Sequence, residues 1–339
     1  MSSWISFLRP NVWAQIRNKG YSLQCHLDVN GVVLGQETIG NHLTPPQEYA
    51  SLMLANGTYS QWMPDQQTKS YKAHVWENLH PGPNSDLALR KIRKEALRQF
   101  VTTLVTDKHA LANQVNEQFK KLVANLQSSP IFRGLPHLIR TLKENKVPHN
   151  LIFRTFGGDG EFIKEYLAKE FPEIQLQEGK FDHNGSFHYQ KESQDLIIQD
   201  YSEFRELIKK GHWLIQDNFE RWLKGQEQGD FGKPFPFSSD PRDPVISIFA
   251  DDNLEIVPSG QQRTIVCCYD ATRKKFVSTK HAESRLIKVN PIEAALDPNY
   301  LTNRISQKAK QLIPKYHSQK IALITTLAVG LIAYILYAR

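Results

Sequence analysis

Five short apolar runs, each ending at or beside an acid or a hydroxyl, limit what this chain can fold into. They are Gln24 to Val29 (QCHLDV), Val147 to Thr155 (VPHNLIFRT), His212 to Asp217 (HWLIQD), Val245 to Asp252 (VISIFADD) and Arg263 to Asp270 (RTIVCCYD). Each has the length of a buried strand. The first runs straight into the turn formers Asn30 and Gly31. Ahead of the second, Leu138, Ile139 and Leu142 repeat at helical spacing from Pro136 to Lys146. After it, Gly157, Gly158 and Gly160 break the chain before the helical EFIKEYLAKEF. Helix, strand, glycine turn and helix in that order predict an α/β fold with a parallel sheet. Within it, FDHNGSFHY reads as a hairpin turning on Asn184 and Gly185. Strand C-termini of such a sheet face one crevice, which places Asp28, Thr155 and Asp251 together.

Between the first two runs lies far more chain than one crossover needs. Residues 35–84, rich in Gly, Pro, Asn and Tyr, show no clean period and read as mostly irregular. Two helical stripes follow, Leu89, Ile92, Leu97, Phe100, Val101, Leu104 and Val105, then Leu111, Val115, Phe119, Leu122, Val123 and Leu126. The basic ALRKIRKEALR of the first is expected to be a solvated face.

Charge and hydropathy divide the chain differently. With 40% hydrophobic and 23% charged residues and a mean hydropathy of −0.47, neither global disorder nor a polytopic membrane protein fits. Residues 321–338 nevertheless form an uncharged run of 18. As a helix this reaches roughly 27 Å, close to the hydrocarbon thickness of a bilayer. Of the net charge of +7, six come from Arg304, Lys308, Lys310, Lys315, Lys320 and Arg339, so residues 1–300 carry only +1. That pattern predicts a basic juxtamembrane linker at 301–320 and a C-terminal transmembrane helix at 321–338, with everything before it in the cytosol by the positive-inside rule. It argues against a nucleic-acid footprint. The N-terminus lacks the apolar core of a signal peptide. Cys25, Cys267 and Cys268 offer neither a disulfide framework nor metal spacing, and the vicinal pair reads as strand core.

Taken in order, Asp28 in LDVNGVV, Thr155 in LIFRTFG, Lys233 in FGKPFP, and Asp251 with Asp252 in IFADDNLEI resemble the four motifs of the haloacid dehalogenase-like superfamily. Its members are mostly phosphohydrolases with a Rossmann-like core. The resemblance spans residues 21 to 270, and PIFRGLPHLIRTLKENKVPHNLIFRT is similar to the family's helix and strand leading into the second motif. It implies a parallel-sheet core made of 1–34 and 130–300, with a mainly helical cap at 35–129 inserted after the first motif.

By the same resemblance, Asp28 is the nucleophile that forms an aspartyl-phosphate. Asp28, the backbone carbonyl of Asn30 and Asp251 hold Mg²⁺, and Asp252 or Glu255 orients that shell. Thr155 donates to a phosphoryl oxygen and Lys233 neutralises charge, with Lys224 in RWLKGQ the alternative lysine. Asp217 reads as a loop acid. His26 is expected to point away from Asp28 as an interior or rim histidine. One position departs from the family pattern: Asn30 stands where phosphatases carry a second aspartate. An amide cannot move a proton, so general acid–base help worth about 10²- to 10⁴-fold is missing there. Two functions follow as expectations. One is a membrane-anchored, cytosol-facing, Mg²⁺-dependent phosphatase acting on a phosphorylated substrate. The other is a catalytically impaired relative that serves as a membrane-tethered binding protein.

Overall fold

A computed structural model describes residues 11–35, 38–39, 42–57, 71–83, 86–107, 111–258 and 262–313. The first strand among them is β1 (Ser22–Asp28), followed by a short ribbon of β2 (Thr38–Ile39) and β3 (His42–Leu43). Next come β4 (His149–Thr155), β5 (Leu176–Phe181), β6 (Phe187–Lys191), β7 (Gln194–Ile198) and β8 (His212–Gln216). The last are β9 (Lys233–Phe237), β10 (Val245–Asp251), β11 (Val266–Asp270), β12 (Lys275–Val277) and β13 (Leu286–Lys288). Eight of these form one sheet in the order β13-β10-β1-β4-β8-β5-β6-β7. Every neighbour from β13 to β5 runs parallel, and β5, β6 and β7 close the far edge antiparallel. The result is a mixed α/β, mostly parallel sheet with helices, compatible with a Rossmann-like fold.

Local chemistry accounts for the elements that lead into the centre of this sheet. The helix Gly134–Glu144 buries Leu135, Leu138, Ile139 and Leu142, one stripe at helical spacing. It stops by a Schellman motif: Lys146 at φ +52° donates to Lys143, and Val147 donates to Leu142, each at 2.9 Å. The chain enters β4 two residues later. The hairpin from β5 to β6 turns where Gly185 takes φ +88°, and Asp182 Oδ1 accepts from the backbone N–H groups of Asn184 and Ser186.

Several expectations are corrected. RTIVCCYD forms β11, but in a separate three-stranded sheet, β12-β11-β9, with both cysteines buried. The described part of region 35–84 is not mostly irregular: the helix Pro46–Asn56 buries every residue from Tyr49 to Ala55. A helix covered on all sides has no polar face, so no period marks it. The first helical stripe divides into Leu87–Arg98 and Phe100–Thr106. Its basic face is not wholly solvated: Arg93 is buried and donates to the carbonyls of His80 and Gly82, both at 2.8 Å. Of the linker expected at 301–320, residues 301–312 lie in the helix Tyr300–Leu312, which buries Leu301, Ile305 and Ala309 and packs against the helix Gly134–Glu144, while 314–320 lie outside the described residues. The apolar run 321–338 lies outside the described residues. Among those described, no helix is long and apolar enough to cross a membrane.

Candidate functional site

β1 and β10 are parallel neighbours paired through Leu27 and Ala250, so Asp28 and Asp251 close adjacent strands side by side. Asp252 follows on the turn. Its carboxylate packs against Gly31, where an added Cβ would lie 2.7 Å from Asp252 Cγ, and Gly31 itself takes φ +76°. No other residue type suits that backbone and that clearance. One carboxylate oxygen from each of Asp28, Asp251 and Asp252 lies within 4.8 Å of the other two.

Lys233 enters this cluster from β9. Its Nζ donates to Asp28 Oδ1 at 2.6 Å and to Asp251 Oδ2 at 2.8 Å, and the side chain is 1% exposed. The same ammonium lies 4.9 Å from the ring centre of Phe156. Backbone amides complete the hold: Val29 N–H donates to Asp28 Oδ1 at 3.0 Å, and Asn253 N–H donates to Asp251 Oδ1 at 2.8 Å. Burial and then the Asp251 charge raise the Asp28 carboxyl well above its ordinary range, against the pull of Lys233. Burial and Asp251 likewise push Asp252 up to about 7. Burial opposes the charge on Lys233, but the Asp251 and Asp28 carboxylates overcome it and hold the ammonium raised. Three carboxylates against one ammonium leave an excess of negative charge in little solvent, which a cation relieves. Hard oxygen donors fit a hard ion, so Asp28, Asp251 and Asp252 could hold a metal.

The remaining candidates fall into place around this centre. Thr155 is buried at the end of β4, next to β1, and its Oγ1 accepts from Gly157 N–H at 3.0 Å. Asn30 donates through Nδ2 to Asp159 Oδ2 at 2.6 Å, while its Oδ1 is buried without a hydrogen-bond partner. Lys224 is exposed beside Glu220, far less enclosed than Lys233. Glu255 is exposed and pairs with Lys288 at 2.6 Å, the register partner of Asp251.

Two further expectations are overturned. Asp217 is no solvated loop acid, since it is buried and forms a two-pronged ion pair with Arg154, Nε to Oδ2 at 3.0 Å and Nη2 to Oδ1. His26 does not point away from Asp28, because side chains two apart on a strand share a face. It lies under β9, against Phe235 at 5.0 Å between ring centres. Sequence reasoning missed Arg154, whose only signal was a charge inside an apolar run. It also missed Lys72, in the short helix Tyr71–His74, whose charge opposes the rise of the Asp252 carboxyl. No motif marks that lysine.

Fold and site together define an α/β protein with a buried acid–lysine centre, at the ends of parallel strands, able to hold a metal ion. Comparison of the chain with protein-family models, with curated proteins and with solved structures finds no match.

Proposed function

We propose that this chain is a Mg²⁺-dependent phosphohydrolase of the haloacid dehalogenase-like type, acting through an aspartyl-phosphate on Asp28. The observation that carries the reading is the contact of Lys233 with both Asp28 and Asp251, across adjacent strand ends. Asp28, Asp251 and the backbone carbonyl of Asn30 would hold the ion, with Asp252 orienting them. An ion held by these residues would screen the phosphate charge from the carboxylates. The Asp28 carboxylate attacks phosphorus, an oxygen–phosphorus bond forms, and the bond to the leaving oxygen breaks with its electron pair. Lys233 offsets charge on the transferring group and Thr155 donates to a phosphoryl oxygen. Water then attacks phosphorus, the bond from phosphorus to the Asp28 oxygen breaks with its electron pair returning to the carboxylate, and inorganic phosphate leaves as the water's proton passes to solvent. In this reading segment 35–129 is a cap over the cleft. The apolar run 321–338, a sequence feature alone, tethers the enzyme to a membrane with the folded part in the cytosol.

Asn30 favours a second reading, a catalytically silent relative that binds a phospho-ligand or protein. Its amide is committed to Asp159 and offers no proton. Full-length protein with a broad phosphoester panel decides between the two. Mg²⁺-dependent turnover abolished in Asp28→Asn supports the enzyme, and no turnover on any ester refutes it. Activity that appears only in Asn30→Asp supports the silent relative.

A further inference from the structure

The face of the large sheet that carries Asp28 is crossed by a chain of buried polar side chains. Ser247 Oγ donates to Gln24 Oε1 at 3.0 Å, and His26 Nε2 lies 3.3 Å from the same oxygen. Arg154 Nη1 lies 3.3 Å from His26 Nδ1. A guanidinium has no acceptor, so Arg154 donates here and His26 carries its proton on Nε2. The chain ends in the ion pair of Arg154 with Asp217. Ser247, Gln24, His26 and Arg154 are all fully buried. Apolar residues of similar volume would fill such a space at equal or lower free energy, so packing alone does not account for a charged pair here.

The topology of β9 supplies the reason. β9 belongs to the small sheet, pairs in it with β11, and is an edge strand of that sheet. Lys233 N–H donates to Ile265 at 2.7 Å, so the odd residues of Lys-Pro-Phe-Pro-Phe face β11. Pro234 and Pro236 occupy the unpaired side, where the missing N–H costs nothing. The Pro234 carbonyl therefore points away from its own ladder and needs another donor. Arg154 Nη1 supplies it at 2.6 Å. That bond joins the backbone immediately after Lys233 to the strand that ends at Thr155.

We propose that Arg154, oriented by Asp217, is a positioning residue for Lys233, fixing the edge strand β9 to the large sheet so that the lysine meets Asp28 and Asp251 together. The proposal rests on the phosphohydrolase reading for its catalytic consequence, while the placement itself can be read without turnover. Arg154→Lys keeps the charge but cannot donate toward Asp217, Pro234 and His26 at once. The full-length variant, shown folded by its unfolding midpoint, is labelled by competitive acetylation and read by peptide mass. Lys233 is expected to label about tenfold faster than in the unaltered protein as β9 loosens, with exposed Lys224 unchanged as the internal control. On any ester the unaltered protein hydrolyses, kcat is expected to fall by about 10- to 100-fold with KM nearly constant, the signature of a misplaced group. Unchanged Lys233 labelling in folded Arg154→Lys overturns the proposal. Loss of Lys233 protection in a protein with no turnover on any ester leaves the positioning standing and sinks only the enzymatic reading. Should Arg154→Lys fail to fold, Asp217→Asn carries the same measurements, with a smaller change in the same direction. Collapse of both variants marks the pair as purely structural and also overturns the proposal.

Discussion

Replacing Lys233 by methionine tests the electrostatics of the whole centre. Lys233 is 1% exposed and donates to two carboxylates at 2.6 and 2.8 Å. Removing one partner of a buried ion pair costs about 3–5 kcal/mol, because the remaining charge is left uncompensated. Here two carboxylates are left, and the escape open to them is protonation. The Asp28 carboxyl is already raised by burial and by Asp251, and loss of the ammonium raises it further. A carboxyl whose folded pKa exceeds its unfolded value binds its proton more tightly in the native state. Stability is then retained below the unfolded value and lost as pH climbs through the folded one. Urea unfolding of Lys233→Met without divalent cations, followed by tryptophan fluorescence, is therefore expected to show a pH-dependent deficit. Relative to the unaltered protein it reaches about 3–5 kcal/mol at pH 8 and shrinks toward about 1 kcal/mol at pH 5. A deficit of equal size at both pH values would refute the reasoning, since it would mean that Lys233 contributes packing and not charge.

Divalent-cation binding should carry the same signature. Asp252, pushed up to about 7 by burial and Asp251, competes for a proton below neutrality. Mg²⁺ at about 100 times its Kd is expected to add about 2.7 kcal/mol at pH 8 and much less at pH 6, measured as a shift in the thermal midpoint. Gly31→Ala places a Cβ 2.7 Å from Asp252 Cγ at φ +76°. A loss of about 1–3 kcal/mol is expected, together with weaker Mg²⁺ stabilisation, both read from thermal unfolding with and without the ion. Lys146, exposed at φ +52° in the Schellman turn before β4, is a site for stabilisation. Lys146→Gly should gain about 0.5–1 kcal/mol in urea unfolding by removing the left-handed penalty of a side chain.

The runs that become β1, β4, β8, β10 and β11, the polar groups at or beside their ends and the α/β class are legible in the chain because they depend on neighbours. An apolar run, a glycine turn and a helical period each sit within about 20 residues, where periodicity speaks. Asp28 and Asp251 could be placed together without coordinates because strand C-termini of a parallel sheet face one crevice. The helix Pro46–Asn56 could not be read, since it is buried on every side from Tyr49 to Ala55 and so carries no period. His26 is interior, as its apolar run implies, but strand alternation alone places it on the face of Asp28.

What only the tertiary structure decided concerns groups distant in sequence. Whether Lys233 or Lys224 meets the acids depends on how the small sheet docks on the large one, and it is Lys233 that does. Asp217 looked like any loop acid until Arg154, 63 residues earlier, was found paired to it in the interior. A charge in a sequence has no sign of burial attached. Whether it is a solvated ornament, half of a buried pair or part of an ion-holding centre is determined by which other charges and how much water surround it once the chain has closed. The sequence by itself thus determined β1, β4, β8, β10 and β11 and the polar groups at or beside their ends, but not β9, the strand that carries Lys233. Packing alone assigned those end groups their partners.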